Sequence, residues 1–485
     1  MPMNADSPNV LLPTLPDPAP VSEAVLFAFD RWAFPFQQYV QVHLTPGQRP
    51  SMVLPHGPEG SHDEVLLFYG TVIRVGRTFH MWYNGNHGPL LNEVGYERRN
   101  FCICYATSPD GIAWEKPELG LVEFNGSKKN NIVALPGRMP FSTWAVLHDA
   151  EDPDPGRRFK AAYGVRGEGG DGFCVAFSPD GLRWNPLPHP VGPVLDMAGI
   201  TKHRGLYYIN GQTSGRIRMP VVRRLVTFVS ADFERWSPLG AIGLDRAPLP
   251  DAPPAEALAS QFEEVHLGAA LWNRGNVILG IYGQWHGHAS GDRRLVVIDL
   301  GLAISHDAVH YHEPIPGFRL VPAREQPQTQ PGVAPALMQG QGMENVGERT
   351  LLWYSTWRGT QGSGVRMVCW DRDRLGMLKP FGPPGARAIS CPIRITHGTA
   401  RLFANVSLLS PHCRLRVGLL EEGFAPIPGR SGDDAATISE GGLRVPVRWK
   451  AGDGLLPSHG RFRLDVHFDG IRAEDCCLHA LYVGA

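Results

Sequence analysis

The chain has 485 residues, and hydrophobic side chains make up 43% of it, which is ample for a buried core. Its 46 Lys and Arg residues nearly balance its 47 Asp and Glu residues, which argues against the basic stripe of a nucleic-acid-binding surface. No run of 18 apolar residues occurs, so the sequence predicts no membrane-spanning helix.

The N-terminal segment and the cysteines both favour a cytoplasmic protein. The first 20 residues, MPMNADSPNVLLPTLPDPAP, lack the basic start and the apolar core of a secretory signal. The eight cysteines show no zinc or redox spacing, and we expect them to be reduced and mostly buried. We expect no metal and no cofactor, and the sequence leaves the oligomeric state open.

Residues 1–60 are expected to be an N-terminal extension, and a series of strand pairs begins after them. Each pair is an apolar strand, a hairpin with Gly or Arg, and a second strand carrying a Tyr. The five copies are TVIRVGRTFHMWYNG, HDAEDPDPGRRFKAAYG, GITKHRGLYYINGQ, ALWNRGNVILGIYGQ and ENVGERTLLWYST. They predict a five-bladed β-propeller over residues 61–384, closed by the N-terminal extension.

A shorter motif recurs four times within this region. Each copy is an apolar strand, then Ser-x-Asp, a turn, and an aromatic residue four positions after the Asp. The acids are Asp110, Asp180, Asp232 and Asp307, and the aromatic residues are Trp114, Trp184, Trp236 and Tyr311. An Asp carboxylate accepts hydrogen bonds from backbone N–H groups two or three residues on. We therefore predict that these acids build turns and are not catalytic.

The sequence pattern changes near Gly382, after a segment marked by Pro and Gly, FGPPGARAISCPIRI. Strand-like segments such as CRLRVGLLE, LRVPVRWKA and RFRLDVHFDG then alternate apolar and polar residues. This alternation predicts a β-sandwich over residues 385–485. The whole chain is thus predicted to be all-β.

Three parts of the sequence support a family resemblance: YATSPDGIAWEKPELGLVEFNGSKKNNIV, YGTVIRVGRTFHMWY and the C-terminal PVRW, FRLDVHF and ALYV segments. The chain resembles a bacterial group of glycosyl-hydrolase-like five-bladed propellers, similar to the fructofuranosidase and arabinanase superfamily. The fructosidase motifs Asn-Asp-Pro-Asn-Gly and Arg-Asp-Pro do not occur. The resemblance implies a sugar-active enzyme without defining its sugar.

The resemblance also implies catalytic carboxylates at the starts of the innermost strands of different blades. Matched one position at a time, it points to Asp63, Asp196 and Glu264 in the first, third and fourth blades. Glu264 is expected to be the general acid, Asp63 the base or nucleophile, and Asp196 the group that holds the substrate hydroxyls. Adjacent strand residues face opposite ways, so only one of Glu263 and Glu264 can point at the pocket. The sequence favours Glu264 over Glu263 by very little.

Further residues are expected to bind substrate. Trp faces stack on sugar rings, although a Trp in a propeller more often packs between blades. The binding candidates are Trp82, Asp149, Trp285, His286, Glu344 and Trp357. His286 and His288 are too few for a zinc site, which needs three or four protein ligands.

Three functions remain open. The first is a glycoside hydrolase, or a related sugar-active enzyme, acting on a small soluble glycoside by acid/base catalysis. The second is a non-catalytic carbohydrate-binding propeller, and the third is a cytoplasmic tailoring enzyme recruited from the glycosidase fold. Several acids converging on one pocket would favour an enzyme, whereas a single acid would favour binding.

Overall fold

The computed structural model describes residues 20–90, 98–137, 140, 143–167, 170–213, 223–246, 261–326, 332–357, 363–381, 385–451 and 454–485. These residues are all-β, as predicted: antiparallel strands are joined by turns and three-residue 3₁₀ helices. No helix in these ranges has the length and apolar character that crossing a membrane requires.

Four short strands come first in the chain. They are β1 (Ala24–Phe27), β2 (Phe36–Gln38), β3 (Val40–Leu44) and β4 (Gln48–Pro55). They form no sheet of their own, and each pairs with a strand from much later in the sequence.

Five antiparallel units of three or four strands follow within the described ranges. The first contains β5 (Val65–Val75), β6 (Thr78–Leu90) and β7 (Arg98–Ser108). The second contains β8 (Trp144–His148), β9 (Phe159–Val165), β10 (Gly172–Ser178) and β11 (Asn185–Pro186). The third contains β12 (Leu195–His203), β13 (Leu206–Thr213), β14 (Leu225–Ser230) and β15 (Ala241–Leu244).

The fourth unit contains β16 (Glu263–Asn273), β17 (Ile278–His286) and β18 (Val297–Ser305). The fifth contains β19 (Leu337–Val346), β20 (Arg349–Thr356) and β21 (Gly364–Asp371), and β4 adds its outermost strand. The first strand of each unit contacts the first strand of the next, and β19 contacts β5 through a parallel bridge between Gln341 and Thr71. The succession of units therefore returns to its starting point.

The remaining strands belong to two further sheets. They are β22 (Gly376–Pro380), β23 (Arg387–Ile389), β24 (Arg401–Ser407), β25 (Arg414–Glu421), β26 (Ala436–Ile438), β27 (Gly442–Val447), β28 (Phe462–Asp469) and β29 (Cys477–Gly484). One sheet has the order β27-β24-β29-β22-β3 with β1 beside β29, and the other has the order β2-β23-β28-β25-β26. Residues from both sheets share one apolar core.

These pairings refine the expected domain boundaries. Among the described residues 20–60 of the expected extension, β4 joins the fifth unit, whereas β1, β2 and β3 join the two C-terminal sheets. Strand β22 also belongs to these sheets, although it precedes the expected boundary at residue 385. Strand pairing between segments so distant in sequence has no local sequence pattern, so it could not be predicted from the sequence.

The Ser-x-Asp motif builds turns, as predicted. In the first copy, Asp110 Oδ1 accepts hydrogen bonds from the N–H groups of Ile112 and Ala113, each at 2.8 Å. The other three copies repeat these bonds. In the second copy, Gly181 has a φ of +73°, which glycine adopts without strain. Its carbonyl accepts a 2.7 Å hydrogen bond from the indole of Trp82 in the preceding unit. The turn therefore also helps to join neighbouring units.

Candidate functional site

Two acids occupy the same position in neighbouring units. Asp196 is the second residue of β12 and Glu264 is the second residue of β16, and these strands contact each other. Both acids therefore lie at the amino ends of first strands, where the family resemblance placed catalytic carboxylates.

Glu264 is fully buried and poorly satisfied. Neither of its carboxylate oxygens has a hydrogen-bond partner of regular geometry, and Arg223 Nε lies 3.6 Å from Oε2. Burial disfavours the charged carboxylate and raises the pKa of Glu264 to about 8, despite the opposing effect of Arg223. Glu264 is therefore protonated at neutral pH.

The adjacent Glu263 has a different environment. Its side chain is 46% exposed, and its Oε2 lies 3.0 Å from Arg246 Nη2 and 2.9 Å from His286 Nδ1. Burial raises the pKa of Glu263, but His286 and Arg246 outweigh this effect and hold the pKa below its usual value. The alternation along β16 thus makes Glu264 the buried acid and Glu263 an ion-paired acid at the surface.

Asp196 is partly exposed and is held by a polar partner. Gln212 Nε2 donates a 2.8 Å hydrogen bond to Asp196 Oδ2. The same Gln212 accepts a 2.9 Å hydrogen bond at Oε1 from the N–H of Leu267 in β16. Gln212 therefore ties Asp196 to the strand that carries Glu264.

Arg223 contacts Glu264 and interacts electrostatically with Asp196. Burial lowers its pKa, Arg293 lowers it further, and the charges of Glu264 and Asp196 oppose both effects. Its guanidinium carbon lies 4.2 Å from the centre of the Trp285 ring, close enough for a cation–π contact. Arg293 approaches the rings of Trp285 and Trp357 at 5.9 and 5.5 Å. The cluster thus combines two acids with two cations beside aromatic rings.

The aromatic rings pack below these cations. His266 lies 5.6 Å from Trp285 and 5.1 Å from Trp357 between ring centres, and the two indoles lie 5.9 Å apart. Trp285 is fully buried and Trp357 is nearly so. As they stand, these two predicted binding residues therefore support the cluster from inside and offer no open face to a sugar ring.

The first strands are irregular next to this cluster. Their registers shift between Leu67 and Thr71, Met197 and Gly199, His266 and Ala269, and Gln339 and Met343. In β16 the bulge includes Leu267, whose φ of +62° is unusual for a residue with a side chain. Tyr69, Trp144 and Met197, from three first strands, line a narrow crevice, and Met197 directly follows Asp196 in the chain.

Asp63 lies in a separate cluster. Its Oδ2 accepts hydrogen bonds from Lys116 Nζ at 2.6 Å and from the Tyr83 hydroxyl at 3.0 Å. Burial raises the pKa of Asp63, but the charge of Lys116 and its hydrogen bond outweigh this and lower the pKa below its ordinary value. Asp63 makes these hydrogen bonds with residues other than those that contact Asp196 and Glu264, and its place among the catalytic acids stays a prediction.

Asp149 and Glu344 lie at the other end of the first strands. Asp149 directly follows β8 and is bound by Lys202 at 3.1 Å and by the Tyr207 hydroxyl at 2.6 Å. Glu344 is the third residue from the end of β19, and burial raises its pKa despite the nearby Arg274. Both acids lie near the carboxyl ends of their strands, whereas Asp196 and Glu264 lie at amino ends, and the substrate-binding role of Asp149 and Glu344 stays a prediction.

Trp82 and His286 also have identifiable environments. Trp82 is buried between the first and second units, where it packs between neighbouring units.

His286 bridges two acids, with Nε2 3.0 Å from Asp299 Oδ2 and Nδ1 2.9 Å from Glu263. Burial lowers the pKa of His286, but the contacts with Asp299 and Glu263 outweigh it and raise the pKa. His286 lies at the end of β17, on the same side of the ring as Glu264.

The sequence reasoning missed Arg223, Arg293 and Gln212. Each comes from a second strand or a connection, outside the first-strand starts that were searched. A Gln or Arg beside a predicted strand is too common to stand out, so the sequence offered no usable signal for them. Within the described ranges, His, Cys, Asp and Glu side chains form no group of three suited to a metal ion.

The comparisons with known proteins concern mainly the fold. No known family matches the sequence, and no curated protein does. Among solved structures, a chain from a study of the GH130 family of mannoside phosphorylases, reported to contain glycoside hydrolases that target β-1,2 mannosidic linkages in Candida mannan, is 14% identical. That match covers 68% of this chain and 95% of the other, with a TM-score of 0.42.

Two other solved structures give similar figures. A putative glycoside hydrolase from Parabacteroides distasonis is 12% identical, with 65% of this chain and 93% of the other covered at a TM-score of 0.44. A thermostable family-43 glycoside hydrolase is 14% identical, with 68% and 96% covered at a TM-score of 0.41. The structural neighbours of the chain thus bear the name of glycoside hydrolases.

Proposed function

We propose that the five antiparallel units are the blades of a five-bladed β-propeller and that the two C-terminal sheets form a β-sandwich. The contacts between successive first strands, and the return from β19 to β5, support the propeller. The core shared by the two C-terminal sheets supports the sandwich. In this arrangement Asp196 and Glu264 lie at one mouth of the ring.

We propose that the chain is a sugar-active enzyme that cleaves a glycosidic bond in a small sugar or glycoside, with Glu264 as its general acid. The observation that carries this proposal is the buried Glu264 with its pKa of about 8. A general acid must hold a proton at the working pH, and burial is how proteins achieve this for a carboxyl group. Asp196 and Glu264 hold the same position in neighbouring units, and the charges of both raise the pKa of Arg223, which favours an enzyme over a binding module.

Asp196 supplies the second carboxylate in this proposal, in place of Asp63. Glu264 donates its proton to the glycosidic oxygen as the bond between this oxygen and the anomeric carbon breaks. The hydroxyl of a water molecule bonds to that carbon, and the remaining proton returns through Asp196 to the enzyme. The hydrogen bond from Gln212 holds Asp196 in position for this step.

Glu264 is enclosed, so a substrate reaches it only after a covering side chain moves. Arg223 contacts Glu264 and is itself 19% exposed. Its contact with Glu264 is longer than a hydrogen bond, so little is lost when it breaks. We propose that the Arg223 head group turns aside when substrate binds.

The experiment compares Glu264→Gln with Glu263→Gln on alkyl and 4-nitrophenyl glycosides. Glu264→Gln is expected to lose about 10²–10⁴-fold in kcat on alkyl glycosides, because their leaving oxygens need protonation. It should lose much less on 4-nitrophenyl glycosides, whose leaving group departs without a proton. Glu263→Gln changes the neighbouring acid and is expected to stay within a few-fold of wild type. A Glu264→Gln enzyme that cleaves alkyl glycosides at the wild-type rate would remove Glu264 from the mechanism.

A further inference from the structure

Arg223 lacks the close pairing with an acid that Arg387 makes in this chain. Its Nη1 is buried and donates no hydrogen bond to the described residues. By contrast, Arg387 makes two hydrogen bonds with Asp465, at 2.6 and 2.8 Å. A guanidinium that forms no close pair with the acid beside it has donors available for another group.

A structural ion pair with Glu264 does not account for this geometry. The 3.6 Å separation is too long for a charge-assisted hydrogen bond, which spans about 2.7–2.9 Å. Burial also raises the pKa of Glu264, which weakens its charge interaction with Arg223. Asp196 remains as the nearby anion, and it already accepts a hydrogen bond from Gln212.

The surroundings of Arg223 favour binding of an anion at its guanidinium group. Arg293 is close enough to lower the pKa of Arg223 by like charge, and the Trp285 ring covers one face of the guanidinium. Burial among apolar and aromatic groups strengthens any charge interaction made there, because little water screens it. A planar guanidinium held against an indole presents its N–H edge, which suits the two oxygens of a carboxylate or phosphate.

We propose that Arg223, with Arg293 beside it, binds an oxyanion, and that the substrate of this site is an acidic sugar whose carboxylate fills that position. The substrate class rests on the proposed function, whereas binding of the oxyanion does not. When the oxyanion pairs with the guanidinium, Arg223 turns from Glu264 and opens the way to its proton. Neutral sugars lack this charge and leave Arg223 where it is.

The same oxyanion chemistry has two sources, a uronate carboxylate on the substrate and free inorganic phosphate. The test therefore measures kcat/KM for 4-nitrophenyl glucuronides and galacturonides, as α and β anomers, against the matching glucosides and galactosides. Each substrate is assayed with and without inorganic phosphate, and the products are examined for a sugar phosphate. The variants are Arg223→Gln, Arg223→Lys, Arg293→Gln and the matched control Arg224→Gln.

Wild type is expected to prefer the uronide by about 10–100-fold, as a charge-assisted hydrogen bond to a desolvated anion provides. Arg223→Gln should abolish this preference, Arg223→Lys should restore part of it, and Arg224→Gln should leave it unchanged. Turnover that depends on phosphate and Arg223, with a sugar phosphate as product, would support the oxyanion site and replace the uronate by phosphate. Equal turnover of acidic and neutral glycosides without phosphate dependence would overturn the inference while leaving the proposed function standing.

If no glycoside is cleaved, binding decides the inference separately from the proposed function. Calorimetric titration of folded wild type with glucuronate and with inorganic phosphate is expected to show binding that Arg223→Gln abolishes. Binding of this kind without turnover would support the oxyanion site and contradict the glycosidase. Absence of binding by both anions would overturn the oxyanion site.

Discussion

Asp63 and Glu264 are both buried acids near the amino end of a first strand, yet their surroundings differ. Asp63 receives hydrogen bonds from Lys116 and Tyr83, and its pKa lies below its usual value. Glu264 Oε2 lies 3.6 Å from Arg223 Nε, and burial raises the pKa of Glu264 to about 8. Burial is common to both sites, so the partner decides whether the acid is ionised.

This difference separates an acid that stabilises the fold from one that costs stability. A buried carboxylate with a close cation has its charge compensated, and its pairing contributes to folding. A buried carboxyl group without hydrogen-bond partners is unfavourable, and proteins concentrate such groups at functional sites. On these grounds we propose a structural role for Asp63 and a catalytic role for Glu264.

The largest expected effect concerns activity. Asp196→Asn removes the second carboxyl group of the cluster and is expected to lower kcat by about 10²–10⁴-fold, with the fold retained. Asp63→Asn, corrected for its folded fraction, should keep kcat within a few-fold of wild type. Glycoside turnover and circular dichroism measure the two quantities. Loss of activity in a fully folded Asp63→Asn enzyme would restore Asp63 to the mechanism.

The second effect concerns stability. Lys116→Met leaves Asp63 buried without its cation and is expected to cost about 2–3 kcal/mol of unfolding free energy, allowing for the 24% exposure of Lys116. Arg223→Met leaves Glu264 protonated and should cost about 1 kcal/mol, mainly through its lost contact with Trp285. Denaturant unfolding at pH 7 compares the two. The reverse order would show that Arg223 and Glu264 form the structural ion pair.

The third effect is the pH dependence of stability. Glu264 has a folded pKa near 8, above its unfolded value, so the folded protein holds an extra proton between about pH 5 and 8. Stability is therefore lost as pH rises through this range, by up to about 1.4 kcal/mol per pH unit from this group. Glu264→Gln removes that slope, as melting temperatures at pH 5, 6, 7 and 8 will show. For Asp63, whose pKa is lowered by folding, stability is lost instead as the pH falls below the unfolded pKa near 3.8. Parallel curves for wild type and Glu264→Gln would contradict the raised pKa.

The smallest effect compares two buried tryptophans. Trp82 donates its indole N–H to Gly181 at 2.7 Å, whereas the Trp285 N–H has no acceptor among the described residues. Trp82→Phe therefore leaves a carbonyl unpaired and should cost about 1 kcal/mol more than Trp285→Phe. Thermal unfolding of the two variants measures the difference. Equal losses would indicate that packing alone determines both.

The sequence predicted the all-β class and the turn motif because their signals are local. Alternation of apolar residues marks strands, and the Ser-x-Asp turn is completed within five residues. The positions of Asp196 and Glu264 at first-strand starts were also predictable, since hairpin spacing locates the start of a strand. The choice between Glu263 and Glu264 needed the register of β16 against its neighbours.

The rest could not be read from the sequence because it depends on distant partners. Lys116 neutralises Asp63 from 53 residues away, and Arg223 reaches Glu264 from the preceding unit. The separation of Asp149 and Glu344 from the cluster depends on which end of a strand each residue occupies. A shift of a few residues in a predicted strand end is enough to exchange the two ends.

The position of β4 and β1 has a consequence for synthesis of the chain. Strand β4 pairs with β21, which begins about 310 residues later, and β1 pairs with β29, about 450 residues later. At about 5–20 residues per second, β4 waits roughly 15–60 seconds for its partner to leave the ribosome, and β1 waits longer. During that time both segments expose unpaired backbone groups, which invite pairing with other chains. Translation speed through the five units should therefore influence the yield of folded protein.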